Sequence, residues 1–165
     1  MVTRLLASIF LALILSLSTA VGLLADEIAG PARVIDGDTI EIAGKRIRLY
    51  GIDAPESRQT CVRDAKTSRC GQEATWALSN RIGSEIVACD DRGRDRYGRT
   101  IAVCRLGGSA GPDLNAWMVE QGWALAYRRY SRDYVAAEGA AQAAKRGLWS
   151  GSFEEPWEWR REQRP

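Results

Sequence analysis

The sequence predicts an α+β protein, mainly a β barrel, in which five strands are accompanied by three helices. Short runs that alternate apolar and polar residues, as half-buried strands do, fill residues 32–52 and return at 85–89 and 100–104. A stretch with the helical spacing of apolar residues separates these two groups, and two more such stretches follow. With 165 residues, the chain has the length of about one domain.

The first 25 residues form a distinct apolar segment. They carry a single charge, Arg4, and their apolar run ends in small residues at Ala20. This pattern is typical of a secretory signal peptide cleaved after Ala20 or after Ala25. The alternative is an uncleaved anchor through residues 5–25, just long enough to cross a bilayer of roughly 30 Å. Either way we expect an exported protein, periplasmic or secreted, with its folded domain at residues 30–150.

The net charge is small, but the basic residues are clustered. The formal charge is +2, and it falls to +1 without the first 25 residues, which hold one arginine and no acid. Arginines gather within residues 92–99 and again at 128–129. Local patches of this kind attract a polyanion without a large net charge.

The chain contains no histidine, which removes several kinds of catalytic site. Serine–histidine and cysteine–histidine catalysis are excluded, and so are imidazole metal sites. Acid–base chemistry must then use carboxylates, lysine, tyrosine or a metal-bound water.

Three strands are predicted between residues 32 and 52. Asp36-Gly37 is a strong hairpin signal, and Ala43-Gly44 marks a second turn. The segments around these turns place isoleucine and leucine at every second position, which predicts a three-stranded meander with one buried face. Asp38 lies just past the first turn, and Asp53 lies just past the end of the third strand.

The middle of the chain contains a loop, a helix and a hairpin. Residues 54–71 are polar and irregular, whereas residues 72–82 have the apolar spacing of a helix that Gly83 ends. Strands at 85–89 and 100–104 flank the charged sequence DDRGRDRYGR, and we expect them to pair as a hairpin.

Four cysteines in an exported chain predict two disulfides. Three pairings are possible. We prefer Cys61–Cys70, which closes the loop, together with Cys89–Cys104, which crosses the hairpin. The alternative is a metal site, but the sequence contains no CxxC pair.

The last part of the chain is helical and ends in a charged segment. Helices are predicted over residues 112–122 and 134–146, with a short extended stretch at 123–127 between them. Residues 151–165 show no clear periodicity, so we expect a C-terminal tail. The predicted order of elements is three strands, a helix, two strands and further helices. This is the element order of a five-stranded OB-type Greek-key barrel.

Five charged residues are predicted to gather at strand ends. Asp38 and Asp53 can converge, and two carboxylates with backbone carbonyls and water make a site for a hard cation such as calcium or magnesium. Glu56, three residues after Asp53, is a candidate general base for a water nucleophile. Arg48 leads into Asp53 and Arg99 opens the fifth strand, where guanidinium groups suit a phosphate ester. The alternative is that each is only a turn former, a cap or an exposed strand residue.

Several motifs in a consistent order make the chain resemble the staphylococcal nuclease (thermonuclease) family. They are IDGDT at 35–39, IRLYGIDAPE at 47–56, GQEA at 71–74, DRYGR at 95–99, LNAWMVEQGWA at 114–124 and GLWS at 147–150. The resemblance covers about residues 31–150. It implies an endonuclease that hydrolyses phosphodiester bonds of DNA and RNA and leaves 3′-phosphate ends.

The resemblance also implies the ligands of a calcium ion. Asp38, Asp53 and the main-chain carbonyl of Ala54 would bind Ca2+. The family often has threonine at the last of these positions, where only the backbone is needed.

The catalytic and substrate-binding roles follow from the same resemblance. Glu56 would be the general base, and Arg48 with Arg99 would bind the scissile phosphate and stabilise the transition state. Tyr130, or alternatively Tyr127, would hold the nucleotide. The loop at 54–71 departs from the secreted prototype of the family because it carries cysteines.

We expect a monomer that acts on single-stranded or double-stranded DNA and RNA and needs no obligate protein partner. Two other functions remain open. One is a catalytically inactive nucleic-acid-binding OB-fold module of the cell envelope. The other is an envelope-attached structural or calcium-binding protein. The complete set of acids and arginines favours the nuclease.

Overall fold

The computed structural model describes residues 28–164, which form a closed five-stranded β barrel with helices around it. The strands are β1 (Ile28–Asp36), β2 (Thr39–Ile42), β3 (Lys45–Leu49), β4 (Ile52–Asp53), β5 (Cys61–Arg63), β6 (Lys66–Ser68), β7 (Ile86–Arg94), β8 (Thr100–Leu106) and β9 (Leu125–Ala126). The helices are α1 (Cys70–Ile82), α2 (Leu114–Glu120), α3 (Val135–Ala143) and α4 (Pro156–Glu162), with a 3₁₀ turn at Gly147–Ser150.

The barrel has the strand order β1-β2-β3-β8-β7. The meander β1-β2-β3 and the hairpin β7-β8 are antiparallel, whereas β3 and β8 run parallel and join the two groups. Pairing of β1 with β7 closes the barrel. These features confirm the predicted fold class, an α+β protein built on an OB-type barrel.

The barrel interior and the inner faces of α1 and α2 share one apolar core. Alternate residues of β2 and β3 are fully buried, as the period-2 pattern predicts. Leu78 of α1 and Met118 of α2 are also fully buried in the same cluster. The opposite faces of β3 and β8 are therefore left to line a binding surface.

A buried asparagine fixes the junction between β3 and β8. The side-chain amide of Asn115, on α2, donates to the carbonyl oxygens of Tyr50 (2.9 Å) and Ala102 (3.1 Å). Its Oδ1 accepts a hydrogen bond from the Cys104 amide at 3.1 Å. Because Asn115 is fully buried, these bonds hold the end of β3 in place against β8.

Two disulfides join the pairs that the sequence favours. Cys89 and Cys104 are direct partners across the β7-β8 hairpin. Cys61, at the start of β5, is joined to Cys70, at the start of α1. The segment predicted as an irregular loop thus contains the small hairpin β5-β6, and the second disulfide forms an apolar cluster with Leu148.

The structure has a fourth helix, α4, in the segment that the sequence predicts as a tail. Seven residues make about two turns, too few for apolar spacing to reveal a helix. Pro156 occupies the first helical turn, where its fixed φ is favourable, and its side chain is buried. Tertiary contacts, rather than an amphipathic pattern, therefore place this helix.

The signal peptide or anchor predicted for the first 25 residues lies outside the described residues. Within residues 28–164, no helix combines the length and the apolar character needed to span a membrane.

Candidate active site

Two buried aspartates share one arginine at the centre of the site. Asp38 precedes β2 and Asp53 ends β4, and their exposed fractions are 2% and 0%. Arg48, on β3, donates through Nη1 to Asp38 and through Nη2 to Asp53. The second Asp38 oxygen accepts the Ala54 amide at 2.8 Å. The structure thus brings together Asp38, Arg48, Asp53 and Ala54, as the sequence predicts.

Burial makes the Asp38 carboxylate costly to ionise. Desolvation raises the pKa of Asp38 from 3.8 to about 8, although Arg48 and the Ala54 amide act in the opposite direction. The nearby charges of Asp36 and Asp53 add to the increase in this pKa. Asp36 itself accepts the backbone amide of Asp38 at 3.1 Å, which is the turn-forming role expected for it.

A buried glutamine positions the loop that carries Glu56. The Gln59 side chain accepts the Glu56 amide at 3.2 Å and donates to the Glu154 carbonyl at 2.6 Å. Helix α1 packs closely behind this loop, since a Cβ atom on Gly71 would lie 1.8 Å from the Glu56 carbonyl oxygen. Glu56 is therefore held by its backbone while its side chain, 34% exposed, faces a cavity.

Arg99 lies on the same face of the barrel as Arg48. The parallel register pairs Arg48 with Ile101, and Arg99 precedes Ile101 by two residues. The Arg99 Nε donates to Asp95 at 2.7 Å. Burial raises the pKa of Asp95, but hydrogen bonds from Arg99 and Tyr97 outweigh burial and lower it. This pair orients the Arg99 guanidinium beside the cavity that Arg48 also lines.

That cavity has a volume of about 1210 Å³ and a strongly basic lining. Ten arginines and four acidic residues line it. The arginines come from β3, from the β7-β8 hairpin, from residues 128–129 and from the end of the chain at 160–164. The two basic clusters noted in the sequence therefore face one cavity, and their charge suits a polyanion.

Three aromatic side chains meet at the rim of the cavity. Tyr127 stacks on Trp157 of α4, with ring centroids 5.4 Å apart and planes 20° apart. Tyr130 packs edge-to-face with Tyr127, with ring centroids 5.1 Å apart, and is 64% exposed. Both predicted tyrosines thus line the cavity, together with a tryptophan that the sequence does not single out.

Arg160 of α4 is a further residue of the site that the sequence does not single out. Its guanidinium donates to both oxygens of Asp53, at 3.0 and 2.6 Å, and to Glu56 Oε1 at 2.7 Å. These carboxylates raise the pKa of Arg160 above its ordinary value, even though burial acts against its charge. A charged segment without periodicity gives no signal of this contact, because the partners are more than 100 positions away.

The acidic groups fit a hard divalent cation. Within residues 28–164, no three histidine, cysteine or acidic side chains form a ready metal site. Asp38 and Asp53 nevertheless offer buried carboxylates, and Ala54 adds a main-chain carbonyl next to Asp53. Calcium takes about six to eight oxygen ligands, so water would supply the remainder. With Glu56, three acidic side chains contact the guanidinium groups of Arg48 and Arg160.

The sequence of the chain matches the model of a known protein family. The family model described as staphylococcal nuclease homologue matches residues 46–151. The match includes Arg48, Asp53, Glu56 and Arg99 and ends before α4 begins.

Several curated proteins are similar over most of the chain. A micrococcal nuclease of Shigella flexneri is 35% identical over 144 residues, which cover 78% of each chain. An uncharacterized endonuclease of Haemophilus influenzae is 36% identical over 140 residues, covering 80% of this chain and 72% of the relative. The succinoglycan biosynthesis protein ExoI of Rhizobium meliloti is 40% identical over 128 residues, covering 76% of this chain and 66% of the relative.

Proposed function

Because the chain belongs to the staphylococcal nuclease family and is a nuclease-type hydrolase, we propose that it is a calcium-dependent endonuclease that leaves 3′-phosphate ends on DNA and RNA. Asp38, Asp53 and the Ala54 carbonyl bind the calcium ion in this proposal. Glu56 is the general base, and Arg48 and Arg99 stabilise the transition state. The protein acts as an exported monomer, and its two disulfides suit a periplasmic or extracellular compartment.

One observation carries the proposal: a single guanidinium, that of Arg48, holds two fully buried aspartates side by side at the edge of a basic cavity. Buried carboxylates raise the free energy of the folded state unless opposite charge compensates them. A fold that only needed stability would not gain from placing two of them together. The arrangement is explained if the site binds a cation and an anionic substrate.

The chemistry assigned to Glu56 follows from its position beside the aspartates. When bound, calcium would polarise a phosphate oxygen and help to neutralise charge that develops on phosphorus. Glu56 takes a proton from the attacking water, whose oxygen then bonds to phosphorus. The bond between phosphorus and the 5′ oxygen breaks, and this oxygen departs and takes a proton from solvent water, so that the phosphate remains on the 3′ side. Arg48 and Arg99 donate to the phosphate oxygens, because guanidinium pairs with them in a fork.

The rim aromatics and the surrounding arginines bind the rest of the strand. Tyr130 has an exposed ring on which a base can stack, and stacking of this kind tolerates any sequence. The arginines at 92–99 and 128–129 neutralise neighbouring phosphates. Binding is then sequence-tolerant and sensitive to salt.

The proposal is tested with a fluorescently labelled single-stranded DNA, incubated with the protein in calcium or in chelator. We expect cleavage in calcium only, and mass spectrometry of the products should show 3′-phosphate ends. Asp53→Asn should abolish cleavage, whereas Asp64→Asn, in the exposed β5-β6 turn, should cleave like the wild type.

Two results would contradict the proposal. Cleavage that persists in chelator or in Asp53→Asn would remove the calcium site from the mechanism. Binding of the DNA without cleavage under any condition would instead favour the inactive nucleic-acid-binding module.

A further inference from the structure

We propose that Arg160 is docked on the calcium ligand Asp53 in the metal-free enzyme, so that calcium must displace this side chain before it can bind. The inference rests on the proposed function, because it takes Asp53 as a calcium ligand and Glu56 as the base. It assigns a role to α4, which lies beyond the residues that match the family model.

The contact geometry supports direct competition for the same oxygens. Arg160 donates through two nitrogens to both oxygens of Asp53 and also reaches Glu56. Calcium bonds to carboxylate oxygens at roughly 2.3–2.6 Å, so it would lie against the atoms that this guanidinium already contacts. Two cations at such short range repel strongly in a partly buried site. Binding of calcium and docking of Arg160 therefore exclude each other.

The charge of the site leads to the same conclusion. With Arg160 docked, the three carboxylates of Asp38, Asp53 and Glu56 face two guanidinium groups. When Arg160 leaves, the same acidic side chains contact Arg48 alone, and a bound divalent cation would replace the positive charge that is lost. Arg160 thus lowers the cost of keeping the acids together until calcium arrives.

The backbone around α4 allows this side chain to leave without unfolding the helix. Ser152 pairs with Val62 through two backbone hydrogen bonds of 2.8 and 2.9 Å, and Gln59 holds the Glu154 carbonyl. Trp157 stacks on Tyr127, which fixes the first turn of α4. The Arg160 side chain is 31% exposed and lines the basic cavity, so it can swing into that cavity.

The expected consequence is a higher calcium requirement. Each calcium ion that binds must break three charge-assisted hydrogen bonds of Arg160, so the affinity is lower than the acids alone would give. The enzyme would remain inactive where calcium is scarce and become active where calcium is plentiful. Arg160 is in this sense a competitor for the cation and not a catalytic residue.

Isothermal titration of calcium into the purified, chelator-treated protein tests the inference without any substrate. We expect Arg160→Gln to lower the Kd for calcium by about tenfold or more relative to the wild type. Arg161→Gln is the matched control, because it removes the same charge from α4. The arginine that it replaces pairs with Glu158 and not with the aspartates. The control should change the Kd by less than about twofold. Arg160→Lys should give an intermediate Kd, because an ammonium group cannot fork onto both Asp53 oxygens.

Each possible outcome decides the matter. Tighter binding by Arg160→Gln, or by Arg160→Lys if the first variant fails to fold, supports the inference, and so does binding that appears only in these variants. Equal Kd values in the wild type, Arg160→Gln and Arg161→Gln would overturn it and leave the proposed function intact. Absence of calcium binding in all three proteins would overturn the inference and the proposed calcium site together.

Discussion

Arg160 donates to both carboxylate oxygens of Asp53, a residue 107 positions earlier in the chain. The contact joins the last helix to the short strand β4 at the centre of the candidate site. It places a residue that follows the barrel domain beside the candidate site. The same connection runs through Gln59, which hydrogen-bonds to the backbone of both Glu56 and Glu154.

Replacing Gln59 with alanine should weaken both the fold and the activity. Gln59 is fully buried, and its loss would leave the Glu56 amide and the Glu154 carbonyl without this partner. We expect the free energy of unfolding, measured with urea, to fall by about 2–3 kcal/mol. The kcat should fall as well, because Glu56 loses its support. The control is Gln142→Ala, on the exposed side of α3, which should change neither value. A Gln59→Ala protein of wild-type stability would show that Gln59 does not hold the Glu56 loop in place.

Removing the exposed ring at the rim should affect substrate binding more than turnover. Tyr130 packs edge-to-face with Tyr127, and its exposed side chain lines the cavity. We expect Tyr130→Ala to raise the KM for single-stranded DNA by about fivefold or more with little change in kcat, since stacking stabilises ground and transition states alike. Tyr130→Phe keeps the ring and should behave like the wild type. A KM that is unchanged in Tyr130→Ala would exclude this stacking site.

The metal-free protein should lose stability as the pH rises. The pKa of Asp38 is about 8 in the folded protein and 3.8 when the group is exposed, so the folded state binds more protons between these values. The contribution of Asp38 to the free energy of unfolding is complete below about pH 4 and disappears as the pH approaches 8. In chelator, the Tm of the wild type should therefore fall from pH 5 to pH 8 more steeply than the Tm of Asp38→Asn. Identical slopes for the two proteins would show that Asp38 is ionised at all these pH values.

The Cys61–Cys70 disulfide should support the C-terminal segment as well as the loop it closes. The disulfide packs with Leu148 and Phe153. One of its ends, Cys61, directly precedes Val62, which forms a backbone bridge with Ser152. A Cys61→Ser, Cys70→Ser double variant should lose about 2–3 kcal/mol of stability. Hydrogen exchange of the amides in α4 should also become faster, because its attachment is loosened. Unchanged exchange in α4 would mean that the disulfide stabilises the loop alone.

The barrel and the acidic half of the site follow directly from the sequence. The hairpin at Asp36-Gly37 and the alternation through Leu49 fix which residues face the core, and this places Asp38 and Arg48 at the site. The parallel pairing of β3 with β8 then brings Arg99 to the same face. These are local patterns and a common strand order, which a single sequence reveals.

The contribution of α4 does not follow from the sequence. Its position depends on the buried Gln59, on the Tyr127–Trp157 stack and on the ion pairs of Arg160, all of which join distant segments. A helix of two turns has no amphipathic pattern that would reveal its partners. Only the folded chain shows that the guanidinium reaches the acids.

Single-turnover cleavage of labelled DNA by Glu56→Gln at saturating calcium measures how much the proposed general base contributes. The rate should fall by about 10²–10⁴-fold, because the general base is gone. Calcium binding should persist, since the aspartates and the Ala54 carbonyl are unchanged. Glu41 pairs with Arg33 at 2.9 Å outside the site, so the control variant Glu41→Gln should retain the wild-type rate. A Glu56→Gln protein that cleaves DNA as fast as Glu41→Gln would contradict the assignment of Glu56 as the base.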